Sequence, residues 1–375
     1  MKRDNQIFVL ILLCLKVLVP SANADQKSKA TESPIHLITC RIEKISECLA
    51  QEASSGYVAI HVAATVMDRP RSATTTSPGF GIWRSEDPVL ITMKSSTPKR
   101  QTVAIIDDLG KREQQLNQAG ATGMRLLPNE IAPLRSWAGA VSVDGYTALF
   151  EEVTPRTQFE YKIVDVSDRA AADTLKKLLN EHYRSVAFVP PAIAVMERGS
   201  DNASQIDEYQ VLQGHDAQHL GPELAKAAIP GFRVVTAGVS PSGLLTTVLL
   251  EHLVDDSQKM EYQVFSGYNE RELEKKLNET SEQGYSLVYG GILPINTSKW
   301  GDRGMTAPPQ RVQLIVCKPA RQQYSAFRVL DAFGRDHQSK LDSAMRDGYE
   351  FVQFVGLATS NFVILGHPKT SAVNP

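Results

Sequence analysis

Apolar and polar positions along this chain fall into the same pattern six times over, and the fifth segment shows it most plainly. Tyr262-Gln263-Val264-Phe265 is a short apolar run bounded by Ser266-Gly267, which predicts a strand. Asn269 stands three residues before Glu272, a capping pair that predicts a helix start. Leu273 and Leu277 then recur at i, i+4 among Glu and Lys, an amphipathic helix with a narrow apolar stripe. Gly284 closes it, because glycine adopts the left-handed conformation that ends a helix, and Tyr285 folds back to seal the last turn. Ser286-Leu287-Val288-Tyr289 predicts a second strand, and Arg311-Val312-Gln313-Leu314-Ile315-Val316 a third, stopped by Lys318-Pro319.

The same register runs through the other segments. Gly-plus-apolar occurs at Gly56-Tyr57, Gly123-Met124, Gly231-Phe232, Gly284-Tyr285 and Gly348-Tyr349, with His182-Tyr183 in the third segment. Seven residues before that slot stands Leu49, Leu116, Leu175, Leu224, Leu277 or Leu341. Four residues after it stands Ile60, Leu127, Val186, Val235, Val288 or Val352. A repeat of this kind governs the fold. The expectation is an α+β protein of six tandem β-α-β-β units, with helices covering one face of small, mostly antiparallel sheets. One unit is too small to bury its own core, so neighbours must pack in pairs or in a closed array. The boundaries read as 34–97, 98–154, 155–204, 205–256, 257–319 and 320–370, with short polar linkers between them.

The first residues change the picture. Lys2 and Arg3 precede an apolar run from Ile7 to Val19, and Ala22-Asn23-Ala24 is a small-x-small cleavage site. Residues 1–24 therefore read as a secretory signal, cut near Ala24, and 25–33 as a polar disordered linker. The apolar run is short for a bilayer span, and Ile11-Leu12-Leu13 before Cys14 lacks the small residues of a lipoprotein signal. The expected location is secreted or periplasmic. Removing the signal's net +2 takes the chain's charge from −2 to −4, which gives no electrostatic footprint for nucleic acid or anionic membrane. Cys40, Cys48 and Cys317 remain, too few for a disulfide framework. A Cys40–Cys48 bridge is open to the chain, but helical separation argues against it, and buried free thiols are the expected state.

The Glu160-Tyr161-Lys162-Ile163-Val164 strand, Gly284-Tyr285-Ser286-Leu287-Val288 and the closing Val316-Cys317-Lys318-Pro319 together resemble a family of short bacterial domains of unknown function. Those domains carry a Tyr-Lys-Val-Val strand, a Leu-bearing helix and Gly-Trp-Glu-Leu-Val; here Tyr, Phe or Met replaces the Trp. The resemblance spans nearly the whole mature chain in six copies. It implies a fold and a bacterial source, and no activity.

Candidate chemistry is sparse. His215 and His219 share a helical i, i+4 spacing, but Asp216 stands where a zinc protease has Glu and no third ligand is evident. Cys317 falls inside an apolar strand, where a buried inert thiol is the usual state. Asp107-Asp108 and Asp255-Asp256 read as solvated turn residues, and no phosphate loop or catalytic triad order is present. Asn202, Asn278 and Asn296 head glycosylation sequons, with Asn278 in mid-helix. No cofactor or metal is implied.

One pattern stands out from this background. Trp83, Trp137 and Trp300 all fall between the second and third strands of a unit, in excursions from Asp68 to Pro88, Pro128 to Asp144 and Asn296 to Pro309. Long loops on a rigid scaffold commonly carry binding. With Phe80, Arg84, Arg135 and Arg303 as companions, the tryptophans form the expected binding residues. The alternative is that each indole fills a local hydrophobic gap. The sequence therefore points to an exported, non-enzymatic binding or scaffolding module at a bacterial cell envelope, its partner another protein or an envelope component. The other reading is an envelope hydrolase, or another enzyme, with its site in these loops.

Overall fold

The computed structural model describes the chain from residue 33 to residue 369, except 65–87, 96, 98, 107–109, 138–140, 190–191, 200–205, 215–216, 240–245, 294–310, 320–322, 333, 335 and 358–359. Within these limits six units follow one another in strand, helix, strand, strand order. Unit 1 holds β1 (Ile35–Thr39), α1 (Ile45–Ser54), β2 (Tyr57–Ala64) and β3 (Pro88–Lys94). Unit 2 holds β4 (Gln101–Ile106), α2 (Arg112–Ala121), β5 (Met124–Trp137) and β6 (Val141–Glu152). Unit 3 holds β7 (Glu160–Asp165), α3 (Ala171–Asn180), β8 (Arg184–Val189) and β9 (Ile193–Arg198). Unit 4 holds β10 (Ile206–Gly214), α4 (Ala217–Ala227), β11 (Phe232–Val239) and β12 (Thr246–Leu253). Unit 5 holds β13 (Glu261–Gly267), α5 (Glu270–Glu282), β14 (Ser286–Leu293) and β15 (Arg311–Lys318). Unit 6 holds β16 (Tyr324–Asp331), α6 (His337–Arg346), β17 (Glu350–Leu357) and β18 (Ser360–Pro368). Each unit folds its strands into one antiparallel sheet with the third strand in the centre.

The helix-closing slot behaves as its chemistry requires. The five glycines have φ between 82° and 88°, and His182 takes the same left-handed conformation at φ 67°. Beyond it the amide of Tyr183 donates to the Leu178 carbonyl at 2.9 Å, and that of Tyr285 to the Thr280 carbonyl at 3.0 Å. These are the six-residue bonds that use up the otherwise orphaned carbonyls of a helix end. All six repeat leucines are buried. In five of the units the aliphatic residue four beyond the slot is a β-bulge. Ile60, Val186, Val235, Val288 and Val352 are each the extra residue between two paired neighbours. Unit 2 inserts residues 127–130 at the same point, with Asn129 at φ 60°. A bulge adds local twist and bends its strand, so the second strand of every unit curves in the same way.

The third strand supplies a recurring lid over the residue after the slot. Arg198 lies 4.9 Å from the Tyr183 ring centre, Lys318 4.7 Å from Tyr285, and Lys94 5.7 Å from Tyr57. In unit 4 the His252 ring stands in, 4.9 Å from Phe232. A cation over an aromatic face is stabilising, which gives the closing Lys of Lys318-Pro319 a physical role.

Units interleave. The helix of each packs on the first strand of the next: α1 on β4, α2 on β7, α3 on β10, α4 on β13 and α5 on β16. The sixth helix returns to β1, and β17 packs on β2. Ile35, Ala63 and Ile91 of unit 1 share one hydrophobic cluster with Leu341, Phe354 and Val363 of unit 6. The body from Pro34 onward is therefore a closed ring of six, which decides between paired and closed packing. Second strands follow one another around its inner side, and each sheet is buried against a neighbour on both faces.

Two expectations are corrected. Cys40 and Cys48 form a disulfide, with Cα atoms 6.5 Å apart. A 3-10 turn, Ile42–Lys44, separates β1 from α1 and brings Cys48 back over the strand end, within the span that a bridge tolerates. Among the described residues, Cys317 is the one free cysteine, and it is buried. In unit 2, residues 128–144 are largely not loop: β5 and β6 run on as a hairpin, pairing Ile131 with Ala148 and Trp137 with Val141. Pro128 falls in the bulge, and Pro133 lies on an edge strand, where the missing amide is tolerated.

Candidate functional face and seams

In each unit the first and second strands both run antiparallel to the third, hence parallel to one another. Helix starts and second-to-third-strand connections therefore lie at one end of the unit, and glycine caps and inter-unit linkers at the other. Side-chain bonds between units keep this polarity from unit to unit. The Tyr161 hydroxyl, at the start of β7, accepts from the Leu126 amide near the start of β5 at 2.8 Å. Tyr209 does the same for Ser185 and Tyr262 for Val234, each at 2.9 Å. In unit 2 Gln101 replaces tyrosine, accepting from the Ala59 amide at 2.7 Å and donating to its carbonyl at 2.8 Å. One end of the ring thus carries the ends of the second strands and the starts of the third, with Trp137 at the end of β5.

Of the sequence-derived binding residues, Arg135 and Trp137 lie on the distal part of β5, paired with Val143 and Val141. Phe80, Trp83, Arg84, Trp300 and Arg303 fall outside the described residues, as do His215 and Asp107-Asp108. His219 is exposed on α4. Asp256 is a turn residue whose carboxylate accepts from the Gln258 amide at 2.9 Å. Among the described residues, no three His, Cys, Asp or Glu side chains gather as a metal site. Burial pushes the Cys317 thiol up to about 11, the opposite of what an activated nucleophile needs.

The seams hold polar chemistry with no local signature in the sequence. Asn117 brackets the Tyr161 backbone, accepting from its amide at 2.7 Å and donating to its carbonyl at 3.0 Å. Asn278 treats Phe327 identically, at 2.6 and 3.1 Å. Each asparagine follows its repeat leucine and acts as an extra strand partner, covering a sheet edge. Gln338 of α6 donates to the Ile35 carbonyl at 2.9 Å across the closing seam. Glu130 reaches from unit 2 to unit 1, accepting from the Val62 amide at 2.8 Å and lying 2.9 Å from His61 Nδ1. Between units 2 and 3, Arg125 donates to Glu197 at 3.0 Å, and the Tyr161 hydroxyl donates to its other oxygen at 3.2 Å. Glu197 is 2% exposed; desolvation raises its pKa despite the opposing pull of Arg125. Desolvation, reinforced by the Glu197 charge, likewise raises Tyr161 far above the ordinary phenol.

No helix among the described residues is long and apolar enough to cross a membrane. Comparison with protein-family models and with curated proteins finds no match to this chain.

Proposed function

We propose that this is an exported, non-enzymatic scaffold of the bacterial cell envelope, which binds a protein or another envelope component through loops at one end of its ring. The observation that carries this reading is the shared polarity of the six units. It brings the ends of the second strands and the starts of the third to the same end of a closed ring, and connections leaving such ends are where scaffolds place binding. The Cys40–Cys48 disulfide supports export, since disulfides persist in oxidising compartments. The leader pattern of residues 1–24 agrees with it, and the resemblance to short bacterial domains supports the source.

Two measurements test the proposal. Mass spectrometry of protein recovered from its host should find an amino terminus at or near Asp25. Intact Met1 protein in the cytoplasm would reject export. Changing Trp83, Trp137 and Trp300 together to Ala should abolish cross-linking to a purified envelope fraction while the thermal transition stays within a few degrees, about 1 kcal/mol. A variant that unfolds, or that still cross-links, overturns the binding role of the tryptophans.

A further inference from the structure

β1 is held differently from the other five first strands. Within the ring body, which runs from Pro34 onward, β1 comes first and is joined to the chain at its carboxyl end alone. The other first strands are tied at both ends, to a preceding unit and to their own helix. β1 is also the shortest strand among the described residues, at five residues. Its covering helix is α6, whose Gln338 donates to the Ile35 carbonyl across 303 residues of sequence.

The groove that β1 fills is defined on every side. The strand pairs with β3 from Ile35 opposite Met93 to Thr39 opposite Val89. Ile35 is fully buried in the cluster that holds Leu341, Phe354 and Val363 of unit 6. Ile38 packs on the cluster shared by units 1 and 2, and the Lys94 amide donates to the Pro34 carbonyl at 2.9 Å. The β1 of a second copy carries the same side chains and fits the same groove, which is the condition for exchange of an element between identical chains. A vacated groove leaves β3 an open edge beside apolar surface, a template for such a strand.

The disulfide spans the hinge. Cys40 follows β1, Cys48 lies in α1, and Arg41 and the 3-10 turn Ile42–Lys44 are the start of the connection. Closed, the bond holds the two Cα atoms 6.5 Å apart. Open, the eight residue steps from 40 to 48 can extend to about 27 Å. In the oxidised chain β1 can leave only with α1, whose Ile45 and Leu49 are buried with Val103, Ala132 and Leu149 of unit 2. In the reduced chain β1 can swing out by itself. Cys40 is 1% exposed and Cys48 only partly buried, which leaves Cys48 as the sulfur open to attack.

We propose that the Cys40–Cys48 disulfide is a redox lock on β1, and that the reduced chain exchanges β1 with a second copy of itself. The reductant is a dithiol. Its thiolate attacks the Cys48 sulfur, and Cys40 leaves as a thiolate that takes up a proton. The second thiol of the reagent then closes on the first and releases Cys48. Two electrons and two protons pass to the protein, and the reagent becomes a cyclic disulfide. The lock is independent of any binding by the tryptophans.

Size-exclusion chromatography with light scattering tests it on the full mature protein, with and without dithiothreitol, warmed to just below its melting transition. Cys40→Ser with Cys48→Ser serves as the permanently open chain, and a synthetic peptide of residues 33–40 with Cys40→Ser as the competitor for the groove. Oxidised protein should stay monomeric from about 1 to 500 μM, while reduced protein and the double variant form dimers over that range with an unchanged far-UV spectrum. Peptide in about tenfold excess should lower the dimer fraction at least about threefold. Reduced protein that stays monomeric, dimers formed equally by oxidised protein, or dimers indifferent to the peptide overturn the proposal. If the double variant does not fold, the reduced parent decides in the same assay. Loss of structure in both makes the bond a requirement of folding and overturns the lock.

Discussion

At the helix-closing slot one backbone conformation is imposed on glycine five times and on histidine once. A left-handed conformation costs an L-residue roughly 1–2 kcal/mol, less the chain entropy that glycine itself gives up. His182→Gly should therefore raise stability by about 1 kcal/mol in denaturant unfolding. Gly284→Ala should lower it by a similar amount, since no atom lies within 4 Å of the added methyl. Gly231→Ala should cost clearly more, because its methyl would sit 2.5 Å from His252 Nε2 and 2.9 Å from the Asp256 carbonyl oxygen. Leu277, fully buried between helix and sheet, should lose about 2–5 kcal/mol on truncation to Ala. This scale was legible in the sequence because it is local: a helix end and an apolar stripe each fit within a few turns. The aliphatic residue beyond the slot was legible as a marker but not as a bulge, because a bulge exists only relative to the partner strand.

The elements meet through side chains that no local pattern announces. Asn117 and Tyr161 are 44 residues apart, Asn278 and Phe327 49, and only the packing of one unit on the next joins them. Asn278→Ala should cost about 1–3 kcal/mol by leaving the Phe327 backbone unpaired. The same contact makes Asn278-Glu279-Thr280 a sequon that cannot carry a glycan in the folded chain. Secretion from a glycosylating host should leave the tryptic peptide bearing Asn278 unmodified. The Glu197 seam adds a pH dependence. Its folded pKa is raised above 4.5, so the stability linked to its protonation is fully present below that value. That stability is lost as pH rises through the folded pKa. Thermal melts of Glu197→Gln should lack this decline, while the parent protein shows it. The disulfide was missed for a related reason: a 3-10 turn between β1 and α1, invisible in the apolar spacing, brings the two cysteines together.

For the molecule as a whole, repetition was readable but closure was not, since it depends on the rotation accumulated from unit to unit rather than on any residue. An open array can lose an end unit and keep the rest, because each unit needs only its neighbours. Here every unit has two neighbours, so deletion of residues 320–370 strips a partner from both unit 5 and unit 1. That truncation should produce aggregation or a molten far-UV spectrum rather than a shorter folded protein. A ring also has no privileged first unit. β18 ends and β1 begins at the same end of adjacent units, the situation that the six residues from 95 to 100 bridge between β3 and β4. A linker of about six residues joining Lys369 to Pro34 would then close the backbone as the packing already closes the ring. With new ends opened between the exposed Pro155 and Arg156, such a circular permutant should fold to the same spectrum and melt near the parent, its chain beginning in unit 3 of an unchanged ring.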